Sequence, residues 1–471
     1  MSDSAHVSMF WDDPAAYFGN SYTKAHSVPK EKLESLQLAG LQQRFSDLKE
    51  QIPFLDKLAA AEGVKSIDQI DDIVPLLFLH TTYKSYPAKI LNENRFGQLN
   101  AWMNKLTAAN LGKLDAEKCE SIDDWINGMH NAAGVMPWVS SGTSGKMTFY
   151  PHSAVEMDRF ARTYPMMLLQ NFGEDPDPLL EAEVHEVWPF YRYPGGGMNL
   201  DFDLRIKYML GGDEGRFHAL FPSAGSLDIR FLQAQQRLGK LENFDEMDLS
   251  PAMAARAEQA QKMEQEMPTQ LGDFMSQCTE ELNGKSVLML GTWPMMYHLA
   301  SQGLAAGKEG VFAPNSRIMA GGGRKGTVLP DNWRDDVCRF MGVEKLGGLY
   351  GMTECLARHM EFEEGHYHIC PWIVPFLLDP DSSKPLKKKG RQTGRFAFFD
   401  LLADSHWGGV VTGDRLTIEW SEPTPSGHPA PYIVGEIARF ADYRDGVDKF
   451  QPVANEKAHN AAMTFLNDIG G

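Results

Sequence analysis

The sequence predicts an α/β fold in which mainly parallel sheets flanked by helices are followed by a β-rich part. Three observations predict it. Between residues 286 and 354, short apolar strands alternate with amphipathic helices, and two of the strands end at Gly321-Gly322-Gly323 and Tyr350-Gly351. Such alternation builds a parallel sheet with ligand loops at its strand ends. From His366 to Trp420 the chain changes to closely spaced strands. Residues 29–64 carry Leu33, Leu36, Leu38, Leu41, Phe45 and Leu48 at helical spacing, which makes the N-terminal part helical.

In chain order, Ile73–Leu79 is a buried segment broken by Pro75. Helical pattern returns at Phe96–Leu106 and at Ser121–Met129, with Ser121 as the N-cap. Residues 137–150 read as strand, loop, strand, and Ala154–Phe172 as a helix rich in Met and aromatics. Val184–Tyr191 is a strand running into Gly195-Gly196-Gly197. Residues 245–283 form a charged helical region with breaks expected at Pro251 and Pro268. Ser286–Leu290 is a strand, Thr292–Gly303 a helix, Arg317–Ala320 a strand, Asp331–Met341 a helix and Leu346–Leu349 a strand. Tyr367–Cys370 and Ile373–Leu378 are expected to pair. Gly394–Asp400, Val410–Thr412 and Leu416–Trp420 follow, and the proline- and glycine-rich stretch 423–431 reads as a linker. The expected division is a core over 1–422, with its β-rich part at about 366–422, and a short C-terminal remnant over 423–471.

The 471 residues are 43% hydrophobic and 23% charged, with a formal net charge of −18. That balance excludes nucleic acid as the main partner, because phosphate neutralisation needs a basic face. The five cysteines, Cys119, Cys278, Cys338, Cys355 and Cys370, form no CxxC pair, so a reduced, cytoplasmic protein is expected. No signal peptide and no membrane span are expected: the first twenty residues lack an apolar centre, and the apolar run Ile73–Leu79 is too short.

Chemistry concentrates in four short stretches. Ser140-Ser141-Gly142-Thr143-Ser144-Gly145-Lys146 is small, hydroxylated and glycine-rich, and ends on a cation. Such a loop can lay N–H groups and hydroxyls around a phosphate chain. Its two glycines enclose two residues, so it is not the classical nucleotide loop; the bland alternative is a surface loop. The other three stretches are Ala320-Gly321-Gly322-Gly323, Tyr350-Gly351-Met352-Thr353-Glu354 and Thr412-Gly413-Asp414. Alone, Glu354 reads as a helix-start acid and Asp414 as a turn residue. His359, His366, His368 and Cys370 form a conceivable metal cluster, but no second close ligand pair accompanies them.

In order and rough spacing the four stretches resemble the adenylate-forming superfamily of acyl-CoA synthetases and adenylation domains, over residues ~70–420. The layout from His366-Tyr367-His368-Ile369-Cys370-Pro371 to Asp379-Pro380 and Gly394-Arg395 looks most like the phenylacetate–CoA ligase branch and the acyl-protein synthetases. The resemblance implies an adenylate-forming N-terminal domain whose C-terminal domain is truncated. It implies ATP and Mg²⁺ as cofactors, with CoA as a candidate acceptor. Ser140, Ser141, Gly142, Thr143, Ser144, Gly145 and Lys146 would hold the β- and γ-phosphates. Thr353 would touch the α-phosphate and Glu354 would hold the metal. Gly321, Gly322 and Gly323 would face adenine, with Tyr350, Gly351 and Met352 beside it. Asp414 and Arg439 would meet the ribose. Lys146, Thr353 and Glu354 are the expected catalytic residues.

The chain departs from the family after Gly435–Asp442, its candidate hinge. Only Lys449 and Lys457 follow, and no Gly-Lys motif of the expected kind is there to supply the swinging domain's lysine. The expected activity is activation of a small carboxylic acid, aryl or apolar, as its acyl-adenylate. The acyl group would then pass to CoA, a carrier protein or a protein cysteine, with Cys355 and Cys370 as conceivable thiols. An amide-forming ligase and a non-catalytic adenylate-fold partner subunit are the alternatives. A partner domain and a homodimer are further expectations.

Overall fold

The computed structural model describes residues 3–140, 146–174, 177–237, 251–321, 327–443 and 452–469. A helical N-terminal part, including helices Lys30–Leu48 and Pro53–Glu62, leads to β1 (Phe78–Leu79). The single helix expected over 29–64 is therefore two. Pro53 suits the first turn of the second, and Gly63 closes it with φ +73°. Next, β2 (Trp138–Val139) and β3 (Phe149–Tyr150) form a separate antiparallel pair.

Five strands make the parallel half: β4 (His185–Tyr193), β5 (Phe217–Ala224), β6 (Val287–Gly291), β7 (Arg317–Ala320) and β8 (Gly347–Tyr350), in the spatial order β5-β4-β6-β7-β8. They are buried on both faces, and side-chain alternation sends them to two cores. Val287, Met289, Ile318 and Ala320 pack with Phe340 and Trp333, while Leu288, Leu290 and Met319 join the larger core. Helices Trp293–Ala305 and Trp333–Met341 pack closely because Gly303 has no side chain; a Cβ there would stand 2.0 Å from Phe340. Helix Pro251–Ser276 runs unbroken through position 268, so the break expected at Pro268 is absent; Pro251 sits at the helix start, where its missing N–H costs nothing.

The antiparallel half comprises β9 (His359–Glu363), β10 (His366–His368), β11 (Ile373–Leu378), β12 (Arg391–Asp400), β13 (Gly409–Glu419) and β14 (Tyr432–Arg439). Its order is β11-β12-β13-β14-β10-β9, and β9 pairs antiparallel with β8, joining both halves into one sheet. The expected pairing of 367–370 with 373–378 is corrected: β10 pairs with β9 and β14, and β11 with β12. Two separate strands were expected over 410–420; β13 is continuous, with a register shift between Arg415 and Thr417 that absorbs the irregularity. Beyond the proline-rich stretch, β14 completes the sheet and helix Glu456–Asn467 packs on helix Pro53–Glu62. Among the described residues no helix is long and apolar enough to cross a membrane.

Candidate active site

The site gathers where the two halves meet. β2 and β3 hold the two ends of the 140–146 stretch. The Ser140 N–H donates to the Thr148 carbonyl at 3.1 Å, and the Thr148 N–H donates to the Ser140 hydroxyl at 3.1 Å. Ser141, Gly142, Thr143, Ser144 and Gly145 lie outside the described residues. The Lys146 ammonium donates to the carbonyls of Tyr86 (2.6 Å) and Lys84 (3.3 Å). It also stands 5.3 Å from the Tyr86 ring centroid.

At the end of β7, Gly321 approaches its neighbour strand closely; a Cβ would stand 3.2 Å from the Leu349 carbonyl oxygen. Gly322 and Gly323 lie outside the described residues. Beside it, Tyr350 ends β8. Its hydroxyl donates to Asp414 at 2.7 Å, and Arg439 pairs with the other Asp414 oxygen at 3.0 Å. Asp414 and Arg439 are register partners on β13 and β14, which sets their approach. The Tyr350 ring stacks on His359 at 5.7 Å. Burial and the adjacent Asp414 push the Tyr350 phenol far above its ordinary value, so it stays a donor.

Thr353 and Glu354 follow Tyr350, Gly351 and Met352. The Thr353 hydroxyl donates to Glu354 at 2.8 Å. Burial raises the Glu354 carboxyl above its ordinary value; the Thr353 bond lowers it, Asp414 raises it and Arg439 lowers it. Glu354 forms no ion pair with Lys or Arg among the described residues. A carboxylate held in low dielectric with one hydroxyl donor and its own backbone N–H retains lone pairs for a hard cation, so its chemistry fits Mg²⁺.

Sequence reasoning missed three contributors. Lys84 lies in charge range of Glu354 and Arg439, and burial holds its ammonium below the ordinary lysine value. His152 is buried, and its Nε2 donates to the Thr353 carbonyl at 3.0 Å. Arg358 stands behind Gly351; a Cβ on that glycine would lie 3.5 Å from Arg358 Nη1. Lys84 sits far upstream of every motif, and neither His152 nor Arg358 has a sequence signal beyond following one.

His152, Glu156 and His406 bring their ligand atoms within 4.8 Å of one another, all buried. The Glu156 carboxylate is already saturated. One oxygen accepts the N–H groups of Asp404 and Ser405, each at 2.5 Å. The other accepts the Ser153 N–H at 2.9 Å and the Ser405 hydroxyl at 2.7 Å. No lone pair is left for a metal, so the trio reads as a structural hub. The conceivable cluster around His368 is likewise internally engaged: His368 bonds the Tyr22 hydroxyl (2.8 Å) and His428 (3.0 Å). The Cys370 thiol donates to the Arg358 carbonyl at 3.3 Å. Cys355 and Cys370 are buried, and burial pushes both thiols well up, away from the nucleophilic thiolate.

In overall fold the chain is similar to 2-hydroxyisobutyryl-CoA ligase. An open conformation of that ligase in complex with 2-HIB-AMP and CoA matches with TM-score 0.51 and 14% identity, over 88% of this chain and 71% of the ligase. The ligase in its thioesterification state gives TM-score 0.50, also at 14% identity, over 88% and 70%. No protein-family model and no curated protein sequence matches. The chain thus has the adenylate-forming, acyl-CoA synthetase-like fold. That fold is the one the four motifs predict.

Proposed function

We propose that the protein is an ATP-dependent, AMP-forming acid ligase. A carboxylate oxygen attacks the α-phosphorus of ATP, the bond from that phosphorus to the bridging oxygen breaks, and pyrophosphate leaves with the electron pair. The acyl-adenylate then passes its acyl group to a thiol, that of CoA or a carrier protein. The observation that carries this reading is the convergence of Tyr350, Asp414 and Arg439, from the three strands β8, β13 and β14, beside the Thr353–Glu354 pair. The 2-hydroxyisobutyryl-CoA ligase complexes with an acyl-adenylate and CoA support the same chemistry.

In this reading Asp414 accepts the ribose hydroxyls, with Arg439 and Tyr350 fixing its two oxygens. The Tyr350 ring and Gly321 flank adenine. Thr353 donates to the α-phosphate, and Lys146, with Ser140 and the loop between them, holds the β- and γ-phosphates. Glu354 holds Mg²⁺, which when bound neutralises phosphate charge. Lys84 adds a cation beside Glu354. The thiol acceptor is external, since Cys355 and Cys370 are buried.

The test is carboxylate-dependent exchange of labelled pyrophosphate into ATP across a panel of acids, without acceptor. Exchange with one acid, abolished in Lys146→Ala, establishes adenylation. Lack of ATP binding would sink the reading and favour a non-catalytic partner subunit. Hydroxamate against thioester formation then separates an amine acceptor from a thiol.

A further inference from the structure

We propose that the acid activated at this site carries a second anionic group, and that the Arg358 guanidinium receives it. The inference rests on the acid-ligase reading and names its substrate class. Arg358 is 9% exposed. Its one side-chain hydrogen bond goes from Nη1 to the carbonyl of its own neighbour, Ala357, at 3.2 Å. Its guanidinium lies 5.2 Å from the Trp138 ring centroid and 5.0 Å from that of Phe160. Among the described residues it meets no carboxylate.

Of the five other arginines that are equally buried, Arg395 donates to the Thr412 carbonyl and lies over the Phe440 ring, and the other four meet carboxylates. Arg44 meets Asp12, Arg159 meets Asp404, Arg192 meets Asp203, and Arg205 meets Glu186 and Asp201. A buried charge without a counter-ion is strongly unfavourable. Two aromatic contacts compensate Arg358 only in part. Its remaining N–H donors form the planar fork that matches a carboxylate.

The location ties that fork to the proposed chemistry. Trp138 lies in β2, just before the 140–146 stretch, and Gly351 belongs to the Tyr350–Glu354 motif; Arg358 touches both. Beside it, the Trp138 indole N–H and, on the paired strand, the Tyr150 hydroxyl are buried without a partner. A neutral aryl or apolar acid would leave Arg358 uncompensated. A dicarboxylic acid, with one carboxylate at the α-phosphate and the other on Arg358, satisfies it.

The experiment is calorimetric titration of the whole protein, with a non-hydrolysable ATP analogue present. Aliphatic and aromatic dicarboxylic acids are compared with their half-amides. The wild type is expected to bind at least one diacid about 10- to 100-fold more tightly than its half-amide, the range for a hydrogen-bonded charge pair. Arg358→Met, which keeps the apolar contacts, removes the preference, and Arg358→Lys keeps part of it. Equal binding of the two acids, no diacid binding, or equal weakening of both in Arg358→Met overturns the inference. The wild-type ranking decides by itself if the Met variant fails to fold. Pyrophosphate exchange is run in parallel. A diacid that binds through Arg358 but supports no exchange sinks adenylation and leaves the Arg358 inference standing. Exchange with a neutral monoacid at wild-type rate in Arg358→Met does the reverse.

Discussion

The Tyr350 hydroxyl donates to Asp414 at 2.7 Å across the seam between the parallel and antiparallel halves of the sheet. Tyr350 ends β8 and Asp414 lies mid-strand in β13, so the bond forms only when both halves are correctly docked. Tyr350→Phe is expected to weaken ATP binding by about 1 kcal/mol, and Asp414→Ala by about 2–3 kcal/mol. Calorimetry with ATP checks both; equal affinities in the two variants and the wild type would remove Asp414 from the nucleotide site.

Lys146→Ala should lower pyrophosphate exchange by about 10²–10³-fold, the usual loss when a fixed donor to developing phosphate charge is removed. Lys84→Met should cause a smaller loss in the same assay, since Lys84 acts through charge at a distance, whereas Lys146 ends the phosphate-loop stretch. A Lys84→Met loss equal to that of Lys146→Ala would promote Lys84 to a primary phosphate contact.

Chelation of divalent cations should abolish exchange, and Mg²⁺ should restore it. Glu354→Gln should raise the Mg²⁺ concentration needed for half-maximal exchange by about tenfold or more, because the amide lacks the charge that holds a hard cation. An unchanged Mg²⁺ requirement would remove Glu354 as the metal ligand.

Glu156 should matter for stability. Its carboxylate accepts four donors in a fully buried position, and although burial works against its charge, His406 and His152 hold it well below its ordinary value. Glu156→Gln turns an amide toward those N–H groups and should cost about 3–5 kcal/mol in urea unfolding. A loss under about 1 kcal/mol would show that the loop at Asp404–His406 holds itself.

Acid should destabilise the fold through its buried histidines, above the range in which ordinary exposed carboxylates protonate. Burial holds His26 at about 3 and His359 at about 4, and pushes His368 further down, each from an ordinary 6.5. These imidazoles are neutral when folded and take a proton near 6.5 when unfolded. Between about 4 and 6.5 the unfolded chain therefore binds more protons, and stability falls as pH drops. Thermal melts should show Tm declining from pH 7 to pH 5, with a shallower slope in His26→Phe. A flat profile would contradict the buried neutral state.

The candidate residues stood out in the sequence because residue chemistry limits what such a site could use: a glycine where strands approach closely, a carboxylate where lone pairs are needed. Gly321, Tyr350, Glu354 and Asp414 carry that signal in the sequence. Strand pairing was not legible. β10 and β11 are neighbours in sequence, yet β10 turns to β9 and β14, because partner choice depends on which faces the whole sheet buries. Lys84, His152 and Arg358 were not legible either, since no local pattern marks a side chain that acts through distant backbone.

By itself, then, the sequence determined the alternation of strand and helix, the change to a β-rich part and the glycine, hydroxyl and acid types at the strand ends. These follow from local periodicity and covalent geometry. Only the tertiary structure decided that both halves share one sheet, that Asp414 is clasped by Tyr350 and Arg439, and that Arg358 is buried behind Gly351 without a counter-ion among the described residues. Those relationships depend on long-range docking, in which burial and charge are settled by residues far apart in the chain.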